Sequence, residues 1–270
     1  MEGQYATLKD VAERAGTTAA TVSYILNGST KRYVSEDMRR RVEAAAKELN
    51  YVKSSAASSL KGKKRKIIAV LVPQFANQMF TELVLGVERV ADRYGYILSI
   101  CNTFDDPQRE LEIIRRMQAQ RVDGYIITPS RDGGKNTRQI RKIGVPMVVV
   151  DRLLNINEDY FLVSAQNYES TYMAAEHLLK NGHRRIAFIG WKADFGGLER
   201  REQAYRTILE AYGVTGEDQI VYNGEFTEES GEELTARALA EHPEITAVLY
   251  AYNIPVSYTH LRAHETRRHL

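Results

Sequence analysis

TLKDVAERAGTTAATVSYILNG, residues 7–28, contains the helix and turn signals of the amino-terminal part of this 270-residue chain. Thr7 stands three positions before an acidic residue, which is the spacing of a capping box, and apolar residues then recur at helical intervals. Gly16 supplies the backbone freedom that a tight turn needs, and Thr18 can cap a second helix that ends near Asn27. The pattern predicts two short helices joined by a turn.

A third helix is predicted directly after this pair. Ser35 can cap it, and its buried side would be formed by apolar residues at helical spacing, Met38, Val42, Ala45, Ala46 and Leu49. The small Ala12 lets the first two helices approach each other, and the branched Val22 would hold the second helix against the first. This is the geometry of a helix-turn-helix, in which the opposite face of the second helix can enter a major groove of DNA. A purely structural three-helix bundle fits the same pattern.

Charge is unevenly distributed along the chain, although the net charge is only +2. Residues 1–66 hold 14 Lys or Arg and 7 Asp or Glu, whereas residues 67–253 hold 20 and 27. A basic head on an acidic body favours an anionic partner for the head, because Lys and Arg near phosphates release condensed counterions. An ordinary charged surface on a small domain is the alternative.

A linker is predicted between these two parts. Residues 51–66, YVKSSAASSLKGKKRK, combine Ser and Ala with a run of Lys and Arg, so they offer little apolar surface to bury. SSAASSL, residues 54–60, can form one or two helical turns with Ser54 as a cap, and such a helix is too short to be stable alone.

From residue 66 onward, apolar strands alternate with amphipathic helices. Strands are expected at 67–72, 96–102, 122–128, 145–151, 185–190 and 246–252. Helices are expected around 78–94, 107–120, 134–143, 168–181, 199–212 and 228–241. Nearly continuous apolar strands separated by helices indicate a parallel sheet covered on both faces, and ligands bind such sheets beyond the carboxyl ends of the strands.

Several classes of protein are disfavoured by what the sequence lacks. Cys101 is the only cysteine, so no internal disulfide can form, and it is expected in a buried strand. The chain begins without a signal peptide and has no stretch of about 20 apolar residues, which predicts a cytoplasmic protein with no membrane partner. Residues 1–253 contain no G-x-S-x-G, no P-loop and no His pair at metal spacing. The sequence therefore predicts no enzyme, no cofactor and no metal site, with His177 and His183 in structural roles.

The helical segments TLKDVAERAGTTAATVSYILNG and VSEDMRRRVEAAAKELNY resemble the DNA-binding head of the lactose/galactose repressor (LacI/GalR) family. The resemblance continues through LVPQFANQMFTEL, GYILSICNTFDDP, VDGYIITPS, GVPMVVVDR and HLLKNGHRRIAFIG, and it covers residues 6 to about 253. It implies an all-α helix-turn-helix head (1–50), a hinge helix and linker (51–66), and an α/β domain similar to two-lobed periplasmic sugar-binding proteins. The lobes would span 67–165 and 166–253.

The resemblance also implies which residues contact DNA. Contacts to phosphates, or bonds that fix the recognition helix on the backbone, would come from Thr7, Thr18, Thr21, Ser23 and Asn27. The base-reading positions hold Ala19, Ala20 and Tyr24. Position 24 is commonly Arg in the family, and alanine cannot donate a hydrogen bond. We therefore expect recognition through thymine methyl groups and Tyr24 rather than through an Arg–guanine pair.

Two further DNA contacts are implied outside the second helix. The loop after Gly28 is longer than usual and adds Lys31 and Arg32 for phosphates. Leu60 stands where the family places an apolar wedge between base steps in the minor groove, although an incidental apolar residue in a linker is the alternative. The arginine that is usual nearby is Ser58 here.

The same resemblance implies a small-molecule site between the lobes. Its ligand contacts would fall on Phe75, Asn77, Phe80, Asp151, Arg152, Asn167 and Arg201, with Trp191 and Asp194 as further candidates. Aromatic faces stack on sugar rings, and the polar groups pair with hydroxyls. Phe80 as a core residue and Arg201 as a solvated helix residue are the alternatives. Gln166 in place of a frequent aspartate, and Gln78 in place of proline, leave the ligand class open.

The end of the chain departs from the family. There, the sequence after AYN continues with an aspartate, a further helix and strands, whereas here residues 254–270 read IPVSYTHLRAHETRRHL. This segment resembles a translated sequencing adapter and is expected to be a non-native tail that leaves the second lobe incomplete. The predicted protein is a homodimeric transcriptional regulator that binds a double-stranded operator under control of a sugar-like effector. A solute-binding protein and an α/β enzyme are the rival interpretations.

Overall fold

The structure is a computed structural model that describes residues 5–28, 33–52, 64–130, 133–154, 159–191, 197–225 and 227–252. The chain divides into two units, Met1–Arg65 and Lys66–Leu270. Lys31, Arg32, Leu60, Asp194 and the tail at 254–270 lie outside the described residues, so the predictions made for them stay predictions.

The smaller unit contains the three expected helices, α1 (Leu8–Ala15), α2 (Ala19–Leu26) and α3 (Glu36–Glu48). The capping box is present, because Thr7 Oγ1 accepts from the Asp10 N–H while the Asp10 carboxylate accepts from the Thr7 N–H at 2.6 Å. Gly16 ends α1 in the left-handed conformation with a φ of 64°. Thr18 and Ser35 each accept a backbone N–H and cap the two helices that follow.

The core of the smaller unit comes from all three helices. Its buried residues are Val11, Ala12, Ala15, Val22, Ile25, Val42 and Ala45. Two polar contacts tie α3 to α1: the Arg41 guanidinium donates to the Ala15 carbonyl at 2.6 Å, and Arg14 pairs with Glu48 at 2.9 Å. All of these described core residues belong to the smaller unit, as expected for a small helical domain.

The larger unit begins with a five-stranded lobe. Its elements are β1 (Ile67–Val72), α4 (Gln78–Arg93), β2 (Ile97–Asn102), α5 (Pro107–Ala119), β3 (Gly124–Ile127), α6 (Gly133–Lys142), β4 (Met147–Val150) and β5 (Phe161–Val163). The strands are parallel in the order β2-β1-β3-β4-β5. Helices α5 and α6 share one core cluster with the sheet, and α4 contributes to another with Val70 and Val72.

The second lobe continues the same alternation. It contains α7 (Asn167–Lys180), β6 (Ile186–Trp191), α8 (Gly197–Ala211), a 3₁₀ turn (Gly216–Asp218), β7 (Ile220–Gly224), α9 (Glu228–Glu241) and β8 (Ala247–Tyr250). Its described strands are parallel in the order β7-β6-β8. The predicted α-helical head followed by a two-lobed parallel α/β domain is therefore confirmed.

Three details differ from the expectations. Strands β5 and β7 were not predicted; both are edge strands, and β5 consists of three exposed residues without alternation. Cys101 was expected in a buried strand, which is wrong, because β2 is also an edge strand and Cys101 is half-buried. Burial and pairing depend on a strand's position in the sheet, which a short apolar run does not encode.

Among the described residues, no helix is long and apolar enough to span a membrane.

Candidate nucleic-acid interface and ligand cluster

Helix α2 buries one face and presents the other to solvent. Val22 and Ile25 lie in the core, whereas Ala20 is exposed on the outer side. Thr18 and Asn27 stand exposed at the two ends of the helix, and the other predicted contact residues on it are half-buried: Ala19, Thr21, Ser23 and Tyr24. Apart from Tyr24, the outer face thus consists of small side chains, so a flat partner can approach the helix closely.

Local hydrogen bonds fix both ends of α2. At the start, Thr18 Oγ1 lies 2.9 Å from Thr21 Oγ1 and accepts the Thr21 N–H. At the end, the Asn27 side-chain amide donates to the Ser23 carbonyl at 2.5 Å and lies 3.1 Å from the Ser23 hydroxyl. These residues therefore hold the helix in shape, and a hydroxyl that accepts one bond keeps capacity for a second partner.

Arg201 is the centre of a polar cluster in the second lobe. Its Nε and Nη2 donate to Asn167 Oδ1 at 3.0 and 2.7 Å, and Nη1 donates to the Ala251 carbonyl. Asn167 is the first residue of α7, Arg201 lies on α8 and Ala251 follows β8, so three elements meet at this guanidinium. Arg201 is not the solvated helix residue that the alternative supposed.

An aromatic wall lies beside this cluster. The Trp191 ring, at the end of β6, has its centroid 6.0 Å from the Arg201 guanidinium carbon. Trp191 and Tyr252 meet edge to face with centroids 4.6 Å apart, and the Tyr252 hydroxyl donates to the Glu225 carbonyl at 3.2 Å. Tyr252 was not among the predicted residues, because it becomes adjacent to Trp191 only when β8 pairs with β6.

Asp151 brings a carboxylate from the first lobe toward this cluster. It follows β4 with a φ of 67°, a left-handed conformation that is uncommon for a residue other than glycine. Burial lowers the pKa of the Arg201 guanidinium, and the Asp151 charge offsets part of that shift. The charge of a first-lobe carboxylate thus acts on this second-lobe guanidinium, and Arg remains charged at neutral pH.

The structure separates the other predicted ligand residues. Arg152 does not join Arg201; it pairs with Asp105 and donates to the Pro129 carbonyl at 2.9 Å, which ties together three strand ends of the first lobe. Asn77 caps α4 by accepting the Met79 N–H, and Phe75 beside it is 47% exposed.

Phe80 is only 3% exposed and packs in the core with Val70, Val72 and Val84. This packing supports the alternative in which Phe80 belongs to the core. Phe75, by contrast, keeps an aromatic surface open at the carboxyl end of β1.

A buried carboxylate in the first lobe was not predicted from the sequence. Glu110 is fully buried, and its oxygens accept from the Ser130 N–H at 2.6 Å and the Asn136 side-chain amide at 2.9 Å. Burial raises the pKa of Glu110, while these hydrogen bonds and the charge of Arg152 act in the opposite direction. The group joins α5 to the end of β3 and to α6, at the same sheet edge as Arg152.

Known proteins match both units. A family model described as bacterial regulatory proteins, lacI family, matches residues 7–54, and one described as periplasmic binding proteins and sugar binding domain of LacI family matches residues 65–266. The chain is 34% identical to a ribose operon repressor of Halalkalibacterium halodurans, over 96% of this chain and 75% of that protein. It is 31% identical to the HTH-type transcriptional repressor PurR of Mannheimia succiniciproducens, over 92% of this chain and 74% of that protein.

A solved structure of the lac repressor dimer bound to operator and the anti-inducer ONPF superimposes with a TM-score of 0.73. Its sequence identity is 26%, and the match covers 92% of this chain and 74% of that one.

Proposed function

Because this chain belongs to the LacI family of bacterial regulatory proteins, as its sequence motifs predicted, we propose that it represses transcription by binding an operator through α2. The observation that carries the proposal is the orientation of this helix. Val22 and Ile25 anchor it to the core, while the face that contains Ala20 stays open with both helix ends fixed. A recognition helix in a major groove needs this arrangement.

We propose that the active form is a homodimer on a two-fold related pair of half-sites. The lac repressor structure that resembles this chain is described as a dimer bound to operator. Two identical recognition helices would then contact a pseudo-palindromic duplex, and the spacing of its half-sites would mirror the symmetry of the protein.

The effector in this proposal is a small, hydroxyl-rich molecule bound at the Arg201 cluster. The bonds to Asn167 and Ala251 use three of the five guanidinium N–H donors, among the residues that the structure describes. The remaining donors and the Asp151 carboxylate would pair with hydroxyls, while Trp191 offers an aromatic face to a sugar ring. The name of the relative from Halalkalibacterium makes ribose the first compound to test. In this role the cluster binds and does not catalyse.

The test is a binding-site selection from random duplexes, followed by affinity measurements on the selected site. Ala20→Glu should weaken binding about ten- to a hundredfold, because a carboxylate would then face base edges and phosphates. Glutamate near the start of a helix is compatible with the helix dipole, so the loss is not expected to come from unfolding.

Ala44→Glu is the matched control, since Ala44 is exposed on α3. It should leave the affinity unchanged. A chain that selects no duplex at low salt, or an equal loss in both variants, would refute the assignment of α2.

The selected sequence also tests how the bases are recognised. With Ala19, Ala20 and Tyr24 at the reading positions, we expect a half-site that depends on thymine methyl groups. A guanine-dominated half-site whose preference changes on Tyr24→Ala would contradict this mode of recognition.

A further inference from the structure

The first lobe concentrates exposed positive charge at one edge of its sheet. Helices α5 and α6 connect parallel strands and therefore run back across the sheet, so their last turns lie at the amino-terminal edge of the strands. The exposed basic residues on the carboxyl-terminal halves of these helices and on the loop after α5 form what we call the basic rim: Arg115, Arg116, Arg121, Arg138 and Lys142.

Both helices of the rim lie on the same face of the sheet. Ile114 and Met117 of α5 share a core cluster with Ile140 of α6, which places the two helix ends side by side. Within 115–123 and 138–146 the sequence has a single acidic residue, Asp123, although Asp and Glu outnumber Lys and Arg over the larger unit. The rim is thus a local reversal of the charge of its own domain.

The chain from the DNA-binding head enters the larger unit at this same edge. The Asp123 carboxylate accepts the Lys66 N–H at 2.6 Å, and the Lys66 carbonyl accepts the Ile97 N–H at 2.9 Å, directly before β1. Only residues 53–63 separate Val52 from Lys64. A segment of this length spans at most about 40 Å even when fully extended, which limits how far the end that is attached at the rim can lie from the end that is attached to the head.

We propose that the basic rim is a second DNA-contacting surface, which binds backbone phosphates of the duplex that α2 recognises. The inference rests on the proposed function of α2 and extends it to the larger unit. Guanidinium groups match phosphate geometry, and contacts of this kind add affinity without sequence preference. The rim therefore raises affinity for operator and non-operator DNA alike, whereas α2 determines the sequence.

The test uses the full chain and two double variants, Arg115→Gln with Arg116→Gln, and Arg138→Gln with Lys142→Gln. Binding is measured over a range of salt concentrations on the selected duplex and on a shuffled duplex of equal length. Each double variant should make the slope of log affinity against log salt shallower by roughly one to two units, since each lost phosphate contact contributes about 0.9. The loss should be the same factor on both duplexes.

The control removes two positive charges from the second lobe, by Lys180→Gln with Arg237→Gln. Both side chains are exposed on the second lobe, outside the rim, so their loss should change neither slope nor affinity. Fluorescence of Trp191, the only tryptophan, checks that each variant is folded. If a double variant is not folded, Arg121→Gln alone should still make the slope of log affinity against log salt shallower.

Rim variants with the wild-type slope, in a protein that binds its selected site, would overturn the inference and leave the proposed function standing. The inference also fails if the slope is unchanged while sedimentation shows an altered oligomeric state, because the rim would then bind another copy of the chain. Failure of the wild type to bind any duplex would instead overturn the proposed function.

Discussion

Glu110 shows how one buried side chain can organise a strand end. It joins α5 to Ser130 after β3 and to Asn136 on α6, and Asn136 also donates to the Pro107 carbonyl at 2.8 Å. Because both carboxylate oxygens accept hydrogen bonds, the charged form is partly compensated for its burial. The pKa of Glu110 is nevertheless raised, so burial has the larger effect.

Glu110→Gln should destabilise the larger unit by about 1–3 kcal/mol at neutral pH, because its amide NH₂ would face the N–H of either Ser130 or Asn136. The pH dependence should change as well. The pKa of Glu110 is higher in the folded protein than in the unfolded chain. Its contribution to the free energy of unfolding is therefore fully present at a pH below the unfolded-state pKa, and it is lost as the pH rises through the folded-state pKa. The variant should lack this decline.

Denaturant titrations followed by Trp191 fluorescence at several pH values measure both effects. Glu112→Gln is the control, because Glu112 lies exposed on the same helix and only approaches Arg116 at 3.9 Å. An unaltered decline of stability with pH in Glu110→Gln would show that another group is responsible.

The helices and the turn of the head could be predicted from local signals in the sequence. The caps and the turn depend on residues that contact neighbours only a few positions away, namely Thr7, Gly16, Thr18 and Ser35. The positions of these residues in the sequence were therefore enough to predict where the helices begin and end. The sheet edges were not predictable in this way. Strand β5 is defined by pairing with Val148–Val150, across a loop, and its own three residues show no alternation.

Gly16→Ala tests the turn of the helix-turn-helix. A φ of 64° costs an L-residue roughly 1–2 kcal/mol, and the new Cβ would stand 2.6 Å from Arg41 Nη2, which donates to the Ala15 carbonyl. We expect a loss of about 2 kcal/mol in the unfolding free energy of residues 1–65, measured by circular dichroism in urea.

Gly28→Ala isolates the backbone component of this loss. Gly28 has a nearly equal φ of 63°, yet nothing lies within 4 Å of an added Cβ among the described atoms. The difference between the two variants therefore reports the displacement of Arg41. Equal losses would mean that the Arg41 contact contributes nothing to the turn.

Packing between helices and strands divided the predicted ligand residues of the two lobes into two groups. Arg201 lies 34 positions from Asn167 and 50 from Ala251, so their meeting depends on how α7, α8 and β8 pack. Asp151 and Arg152 were both predicted as ligand residues because both follow the same strand end. In the structure Arg152 pairs with Asp105, whereas the charge of Asp151 acts on Arg201. Motif matching located the edge of the sheet, whereas packing decided which side chains share a site.

We propose that an effector acts on the protein at the Arg201 cluster, because its bonded members lie in the second lobe and the charge of Asp151 in the first lobe acts on its guanidinium. Arg201→Lys should keep operator affinity but lose the effector response, because an ammonium cannot reproduce the planar fork that holds Asn167 and the Ala251 carbonyl. Arg206→Lys is the matched control on the same helix, where Arg206 bonds to Glu202 instead.

The measurement is operator affinity with and without each of a panel of monosaccharides that begins with ribose, and sugar affinity with and without operator. Linkage requires the sugar to change operator affinity by the same factor by which the operator changes sugar affinity, and coupling of this kind typically amounts to about 5–150-fold. In Arg201→Lys both factors should fall to one, while Arg206→Lys should retain the wild-type values. An effector response that survives Arg201→Lys with unchanged sugar affinity would place the ligand elsewhere in the larger unit, since replacing a guanidinium that contacts the ligand should lower the affinity for that ligand.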